Sequence, residues 1–212
     1  MTHSEPAPTN TPNPGCAADL PITYNAADIL ERNVARHPQK DALHTGEGVL
    51  NFQAVAEDSN RVANALRALD VRVGDSVAIL CPDTAEWVAT FFGTLKCGGV
   101  AAGMSTLLTA GEIGFILDDS RARVILVHAT LLAGLQEVRR DCPFLEHVIV
   151  VGGSAPDGDA TFEEWVEGES PDFETAATHR DDFATLNYSS GTTGKPKGIL
   201  HAHKDLVLTA EL

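Results

Sequence analysis

The residues best suited to chemistry form a glycine-rich segment near the end of the 212-residue sequence. This segment, Tyr188–Gly198, reads YSSGTTGKPKG. Its three glycines allow the backbone to adopt positive φ and to approach a ligand closely. The Ser and Thr hydroxyls and the backbone N–H groups can donate hydrogen bonds, and two lysines add positive charge. The segment therefore predicts an anion-binding site, and a triphosphate, with several negative charges in a small volume, suits such a site.

The segment differs from the phosphate-binding loop of P-loop NTPases, which has the pattern G-x-x-x-x-G-K-[ST]. The residue five positions before Gly194 is Ser189, and Lys195 is followed by Pro196. Proline lacks a backbone N–H and opposes the helix that such a loop would begin. These differences disfavour a P-loop GTPase or kinase.

Strand patterns flank the segment, at residues 182–188 and 199–201, so it should join two strands. His201 and His203 alternate with one residue between them, and on a strand they would share one face. Upstream, short apolar runs alternate with amphipathic helical patterns and with two capping boxes, which begin at Thr109 and Thr161. The predicted strands in this part are residues 76–80, 100–104, 124–128 and 147–151.

This alternation is typical of a parallel sheet covered on both faces, so the predicted fold class is α/β, with a largely parallel sheet flanked by helices. Before the first of these strands, the pattern predicts a short helix that ends before Pro38, a hairpin of residues 42–44 and 49–52, and a long helix at 53–69. Residues 152–182 should pack on the domain, because their aromatic residues need a surface to pack on.

Composition divides the chain into two parts. Residues 1–21 are rich in Pro, Thr and Asn and predict a flexible tail, and residues 22–212 predict one folded domain. The formal charge of −15 disfavours nucleic acid and anionic membranes as partners. The absence of an export signal and of a long apolar run predicts a cytoplasmic protein without a membrane span. The four cysteines have no metal-site spacing and are expected to be reduced.

A flexible connector would have a similar composition, but the full order of residues in Tyr188–Gly198 points elsewhere. It resembles, position by position, the signature loop of the acyl-adenylate-forming superfamily, which includes acyl- and aryl-CoA ligases, adenylation domains of peptide synthetases, and luciferases. Residues 24–28, 106–112 and 201–205 are most similar to benzoate- and aminobenzoate-type CoA ligases. The resemblance extends from about residue 24 to the end of the sequence.

The resemblance implies that a small carboxylic acid, aromatic in the more similar members, attacks the α-phosphate of ATP to give acyl-AMP and pyrophosphate. Coenzyme A then takes up the acyl group as a thioester. The implied substrates and cofactors are ATP, Mg²⁺ and coenzyme A. The residues that would surround the β- and γ-phosphates are Ser189, Ser190, Gly191, Thr192, Thr193 and Gly194.

Individual roles follow from the same resemblance. Lys197 would pair with the phosphates, and Lys197 and Thr192 are the candidate catalytic residues. The hydroxyl of Thr192 or Thr193 would support magnesium, with Thr193 as the metal candidate. Lys195 occupies a position that varies in the family and is a further candidate phosphate contact. His201 would border the acid pocket.

Members of the superfamily continue well beyond this loop, with segments that bind adenine, ribose and magnesium and with a C-terminal domain that supplies a lysine. The sequence is therefore expected to be the N-terminal part of such a domain, incomplete at its C-terminal end, inactive alone and in need of the remainder of the ligase. Two alternatives stay open at this point. One is an adenylation domain that charges a carrier protein, and the other is a non-catalytic nucleotide-binding fragment.

Overall fold

The computed structural model describes residues 19–46, 48–189 and 196–211, in which helices and strands alternate. The helices are α1 (Asp28–Arg36), α2 (Phe52–Ala68), α3 (Ala85–Lys96), α4 (Ala110–Ser120), α5 (Leu132–Val138), α6 (Phe162–Val166) and α7 (His203–Glu211). The strands are β1 (Asp41–Thr45), β2 (Gly48–Asn51), β3 (Ser76–Leu80), β4 (Val100–Gly103), β5 (Val124–His128), β6 (His147–Val151), β7 (Ala160–Thr161), β8 (Phe183–Ser189) and β9 (Lys197–Ala202). The predicted capping boxes at Thr109 and Thr161 begin α4 and α6, as expected.

Seven strands form one sheet in the spatial order β7-β6-β5-β3-β4-β8-β9, and β1 pairs with β2 in a separate antiparallel hairpin. Neighbouring strands of the large sheet are parallel except for β8 and β9, which are antiparallel. Parallel neighbours require crossover connections, and helices supply them between β3, β4, β5 and β6. The predicted α/β fold with a largely parallel sheet flanked by helices is confirmed.

The central strands of the sheet are buried between two layers of helices. Val77 and Ile79 of β3 belong to the cluster under α2 and α3, whereas Ala78 and Leu80 belong to the cluster under α4 and α5. Because every residue of β3 is buried, its sequence is a continuous apolar run rather than an alternating one. The chain leaves β3 toward one face, into α3, and leaves β4 toward the other, into α4. A crevice is expected where adjacent strands diverge in this way at the carboxyl edge of a sheet.

The segment 152–182 packs on the domain, which confirms the prediction that it is not a free linker. Its aromatic side chains Phe162, Trp165 and Phe173 lie against the cluster under α2. Asn64 of α2 donates hydrogen bonds to two backbone carbonyls in this segment, at 2.9 and 3.0 Å. The segment thus closes the outer side of the α2 layer.

The predicted N-terminal tail is described only from residue 19 onward, and residues 1–18 lie outside the described residues. Leu20 is buried, and the Arg180 guanidinium donates a hydrogen bond to its carbonyl oxygen. The folded part therefore begins no later than Leu20. No helix in the described part of the chain is long and apolar enough to cross a membrane. Three described cysteines, Cys81, Cys97 and Cys142, are buried free thiols.

Two predictions differ from the structure. Phe52 is the first residue of α2 rather than part of the hairpin, because the side chain of Asn51 accepts a hydrogen bond from the backbone of the new helix. His201 and His203 do not share a strand face, since β9 ends at Ala202 and His203 begins α7. The sequence pattern did not predict α7.

Candidate phosphate-binding site at the carboxyl edge of the sheet

The predicted phosphate-binding segment lies between β8 and β9, which confirms that it joins two strands. Ser189 and Lys197 are directly opposite each other at the end of this strand pair where the chain passes from β8 to β9. Residues 190–195 lie outside the described residues. The predictions that fall on them stay predictions, and they concern Ser190, Gly191, Thr192, Thr193, Gly194 and Lys195.

The direction of β8 places this end of the hairpin at the carboxyl edge of the sheet. β8 is parallel to β4, with Thr185 opposite Ala101, so its carboxyl end lies at the same edge as the carboxyl ends of β3 and β4. In open α/β sheets, ligands bind in the crevice at this edge. The chain therefore leaves β8 at Ser189 on the side of the molecule where this topology favours a ligand.

The register of the hairpin determines which side chains share a face. Ser189 and Asn187 of β8 lie opposite Lys197 and Ile199 of β9, and directly opposite residues of an antiparallel pair point to the same face. A Cβ atom placed on Gly103 would lie 3.6 Å from the side-chain oxygen of Asn187 and 3.6 Å from the Trp87 ring of α3. This face of the hairpin is therefore the one that carries α3.

A cleft of about 490 Å³ opens at this position. Its walls come from the ends of β3 and β4, from the start of α3 and from β8, and it is lined by Cys81, Pro82, Asp83, Trp87, Gly103, Met104, Ser105, Thr106 and Asn187. The lining combines hydroxyl, amide and carboxylate groups with the indole ring of Trp87. The cleft can thus accept a ligand that combines polar groups with a flat apolar part.

The thiol of Cys81 lies in this cleft, but it is not a suitable nucleophile. Burial raises the pKa of the Cys81 thiol, against a smaller opposing effect of its contact with Thr84. The thiol therefore stays protonated at neutral pH, and it is the thiolate that reacts. Cys81 is instead part of the buried core cluster under α2 and α3.

The structure brings together only some of the predicted site residues. Lys197 is exposed at the base of the segment, next to Ser189. His201 is half-buried and lies four residues further along β9, roughly 13 Å away at the rise of a strand. Lys204, in α7, forms an ion pair with Asp181. The basic residues that are close in sequence are therefore spread over β9 and α7.

Metal binding would depend on the ligand and on the predicted hydroxyl contacts of Thr192 or Thr193 rather than on a side-chain cluster. Within residues 19–46, 48–189 and 196–211, no group of three or more His, Cys, Asp or Glu side chains could hold a metal ion. Mg²⁺ commonly keeps several waters and binds through substrate phosphates with one or two protein oxygens. That donor set fits a magnesium–triphosphate complex held by a hydroxyl.

Sequence reasoning missed two residues of the site. Asn187 places an amide in the middle of β8, directly after Leu186, and this polar position within a strand was the available signal. Asp83 lies three residues after the end of β3, where the carboxyl edge of a parallel sheet presents functional side chains. The crevice itself depends on strand order, which the sequence pattern does not determine.

Comparison with known proteins agrees with this geometry. The sequence profile of the AMP-binding enzyme family matches residues 30–212. A benzoate–CoA ligase from Thauera aromatica is 37% identical over 207 residues, which are 96% of this chain and 38% of that protein. A 3-hydroxybenzoate–CoA/4-hydroxybenzoate–CoA ligase from the same species is 32% identical over 193 residues, covering 90% of this chain and 37% of that protein.

Solved structures give the same result. The anthranilate CoA ligase AuaEII, in complex with anthranoyl-AMP, is 47% identical and superposes with a TM-score of 0.90. The match covers 92% of this chain and 38% of that chain. The chain thus spans about 38% of the length of the relatives that it matches.

Proposed function

Because the chain belongs to the AMP-binding enzyme family, we propose that it forms the phosphate-binding part of an AMP-forming acid–CoA ligase that acts on an aromatic carboxylic acid. The observation that carries the proposal is the position of the two described ends of the segment, Ser189 of β8 and Lys197 of β9, which lie opposite each other at the carboxyl edge of the sheet. Asn187 of the same hairpin lines the adjacent cleft. The similarity to benzoate–CoA and anthranilate–CoA ligases supports the class of acid.

In the proposed first step, a carboxylate oxygen attacks the α-phosphorus of ATP, and the bond to the β-phosphate oxygen breaks. Negative charge then accumulates on the departing pyrophosphate. The residues that would hold its oxygens through backbone N–H and hydroxyl groups are Ser189, Ser190, Gly191, Thr192, Thr193 and Gly194. Lys197, which the structure places opposite Ser189, would neutralise part of this charge, and Lys195 would contribute less.

Magnesium bound to the triphosphate would offset its charge, and Thr193 is the proposed protein ligand. In the second step, the thiolate of coenzyme A attacks the acyl carbon, and AMP leaves with the bonding electrons. His201 is proposed to border the acid pocket, since it shares the face of β9 that carries Lys197. The reaction as a whole needs the parts of the ligase that the relatives have beyond the matched region, so we expect this chain to bind ATP without turnover.

The first experiment measures ATP binding to this chain by isothermal titration calorimetry. Hydrogen bonds to charged groups contribute about 1.5–3 kcal/mol, so Lys197→Ala should weaken binding roughly ten- to hundredfold. Lys40→Ala is the matched control, because it removes the same charge from an exposed residue between α1 and β1. If both variants bind ATP equally well, Lys197 does not contact the phosphates.

The second experiment separates the ligase from its alternatives. The coding sequence after Leu212 is read for the adenine, ribose and lysine segments, and pyrophosphate release by the ligase that includes them is measured with benzoate, aminobenzoates and short fatty acids. Release with aromatic acids followed by coenzyme A thioester formation supports the proposal. ATP binding with no such continuation supports the non-catalytic alternative, and acyl transfer to a carrier protein instead of coenzyme A supports an adenylation domain.

A further inference from the structure

The side chain of Tyr188 lies at the base of the phosphate-binding segment, on the face of the strand pair opposite to the cleft. It lies directly opposite Gly198 across the strand pair, one position before the pair of Ser189 and Lys197. A Cβ atom on Gly198 would lie 3.4 Å from Cε1 of the Tyr188 ring, so the ring covers the glycine backbone. The same ring packs against the core cluster between the sheet and α4 and α5.

The hydroxyl of Tyr188 donates a hydrogen bond of 2.7 Å to Oδ2 of Asp119. Asp119 lies in the last turn of α4, a helix fixed by its capping box at Thr109 and by its buried residues Ile113, Ile116 and Leu117. Burial and the adjacent carboxylate raise the pKa of Tyr188, so its hydroxyl stays protonated and continues to donate at neutral pH. The hydrogen bond thus joins the hairpin to a well-anchored helix.

This end of the hairpin needs such an attachment. β8 pairs with β4 at Thr185, and from Asn187 onward its paired strand is β9. β9 is the last strand of the sheet. Asn187, Tyr188 and Ser189 therefore project beyond the region where β8 is held between two strands, and an edge hairpin of this kind twists and frays more readily than a central strand.

From these observations we infer that Asp119 is a positioning residue for phosphate binding. Through Tyr188 it holds the end of the hairpin in place, and this fixes the backbone of Ser189 and the starting point of the Lys197 side chain. The ligand contacts are those of the proposed function, on which this role depends. Asp119 itself touches no ligand and acts through the orientation of the strand pair.

The test compares Asp119→Ala, Asp119→Asn and Tyr188→Phe with Asp118→Ala as the matched control. Asp118 is also exposed, precedes Asp119 in the same helix, and carries the same charge. Hydrogen–deuterium exchange of β8 and β9 reports the attachment, and calorimetry reports the dissociation constant for ATP. Because this hydrogen bond is exposed to solvent, we expect it to contribute as an ordinary one, and its loss corresponds to about a three- to tenfold change in either quantity.

We expect Asp119→Ala and Tyr188→Phe each to speed exchange in β8 and β9 about three- to tenfold and to weaken ATP binding by a similar factor, with β3 unchanged. The double variant should be no worse than either single variant, because both remove the same hydrogen bond. Asp119→Asn keeps an acceptor oxygen and should restore most of both properties. Asp118→Ala should behave as the unmodified chain.

Failure of this inference and failure of the proposed function give different results. If the unmodified chain does not bind ATP, the proposed function fails, and exchange alone then decides whether Asp119 attaches the hairpin. If Asp119→Ala leaves exchange unchanged, the attachment is refuted even when ATP binds. If exchange becomes faster while the dissociation constant for ATP stays the same, Asp119 does not position the phosphate site.

Discussion

The central strands and the β8–β9 hairpin belong to one sheet but are buried to very different extents. Every residue of β3 and all but the last residue of β5 are buried between two helix layers. In β9, by contrast, the neighbouring residues Ile199 and Leu200 are 46% and 47% exposed. Since neighbouring residues of a strand point to opposite faces, β9 is uncovered on both sides.

This difference separates the source of stability from the location of the proposed chemistry. The central strands bury apolar area on both faces, which is the dominant favourable term in folding. The hairpin gains less from burial and depends on local attachments, such as Tyr188 with Asp119 and the buried His203 at the start of α7. Regions with few buried contacts open more easily, and ligand-binding segments are commonly found in them.

The largest expected effect tests this contrast directly. Leu126 in β5 is 1% exposed, and truncating a buried leucine removes its transfer free energy and leaves a cavity. We expect Leu126→Ala to lower the free energy of unfolding by about 2–5 kcal/mol. Leu200→Ala, the same change in β9, should cost less than about 1 kcal/mol. Urea unfolding followed by circular dichroism measures both, and equal losses would show that the hairpin is packed as tightly as the centre.

A smaller effect on the free energy of unfolding should come from His203, which directly follows β9 and attaches this end of the hairpin to the domain. It is fully buried, and its Nδ1 accepts a hydrogen bond of 3.1 Å from the backbone N–H of Ala26. Burial lowers the pKa of His203 to about 4, with Asp182 opposing the shift. The unfolded chain, in which a histidine has a pKa of about 6.5, therefore binds more protons at mildly acidic pH, and stability must fall as the pH falls through this range.

The expected loss between pH 7 and pH 5 is about 2 kcal/mol, measured as the free energy of unfolding in urea at each pH. His203→Gln should remove most of this pH dependence. Val207→Ala is the control, because it truncates a buried side chain of the same helix that does not titrate. It should lower stability by the same amount at both pH values. If His203→Gln keeps the slope of the unmodified chain, His203 does not anchor the hairpin as a neutral side chain.

Sequence patterns predicted the central part of the fold well. The strands at residues 76–80, 124–128 and 147–151 have the same bounds in the structure. They are continuous β-branched runs between amphipathic helices, and only burial on both faces explains that composition. The capping boxes at Thr109 and Thr161 were equally informative, because each is a local arrangement of four residues.

The candidate site was predictable only where its residues are consecutive. The order of residues in Tyr188–Gly198 identified the segment, and strand patterns on either side identified the hairpin. The cleft depends on the order of β3, β4 and β8 in the sheet, and Asp119 lies 69 residues before Tyr188. No local pattern encodes such pairings. The start of α7 was missed because a single residue, Ala202, separates two histidines that fit a strand equally well.

The smallest expected effect compares two glycines, one in each region. A Cβ atom on Gly93 of α3 would lie 2.6 Å from Cγ1 of Val62 and 2.9 Å from the backbone oxygen of Ser59 in α2. On Gly198 of β9 it would meet the end of the Leu186 side chain at 3.0 Å, and this flexible group can move aside. Gly93→Ala should therefore lower the free energy of unfolding, whereas Gly198→Ala should be nearly neutral.

Two opposing contributions set the size of the Gly93 effect. Overpacking lowers the free energy of unfolding by about 1–3 kcal/mol. Alanine in place of glycine within a helix raises it by about 1 kcal/mol, so the net loss should be about 1 kcal/mol. Gly111→Ala in α4 isolates the second contribution, because no atom lies within 4 Å of the added Cβ, and it should raise stability. Thermal unfolding of the three variants measures the balance. A Gly198→Ala variant less stable than Gly93→Ala would mean that the base of the phosphate-binding segment is more tightly packed than the junction of α2 and α3, which contradicts the contrast between hairpin and centre.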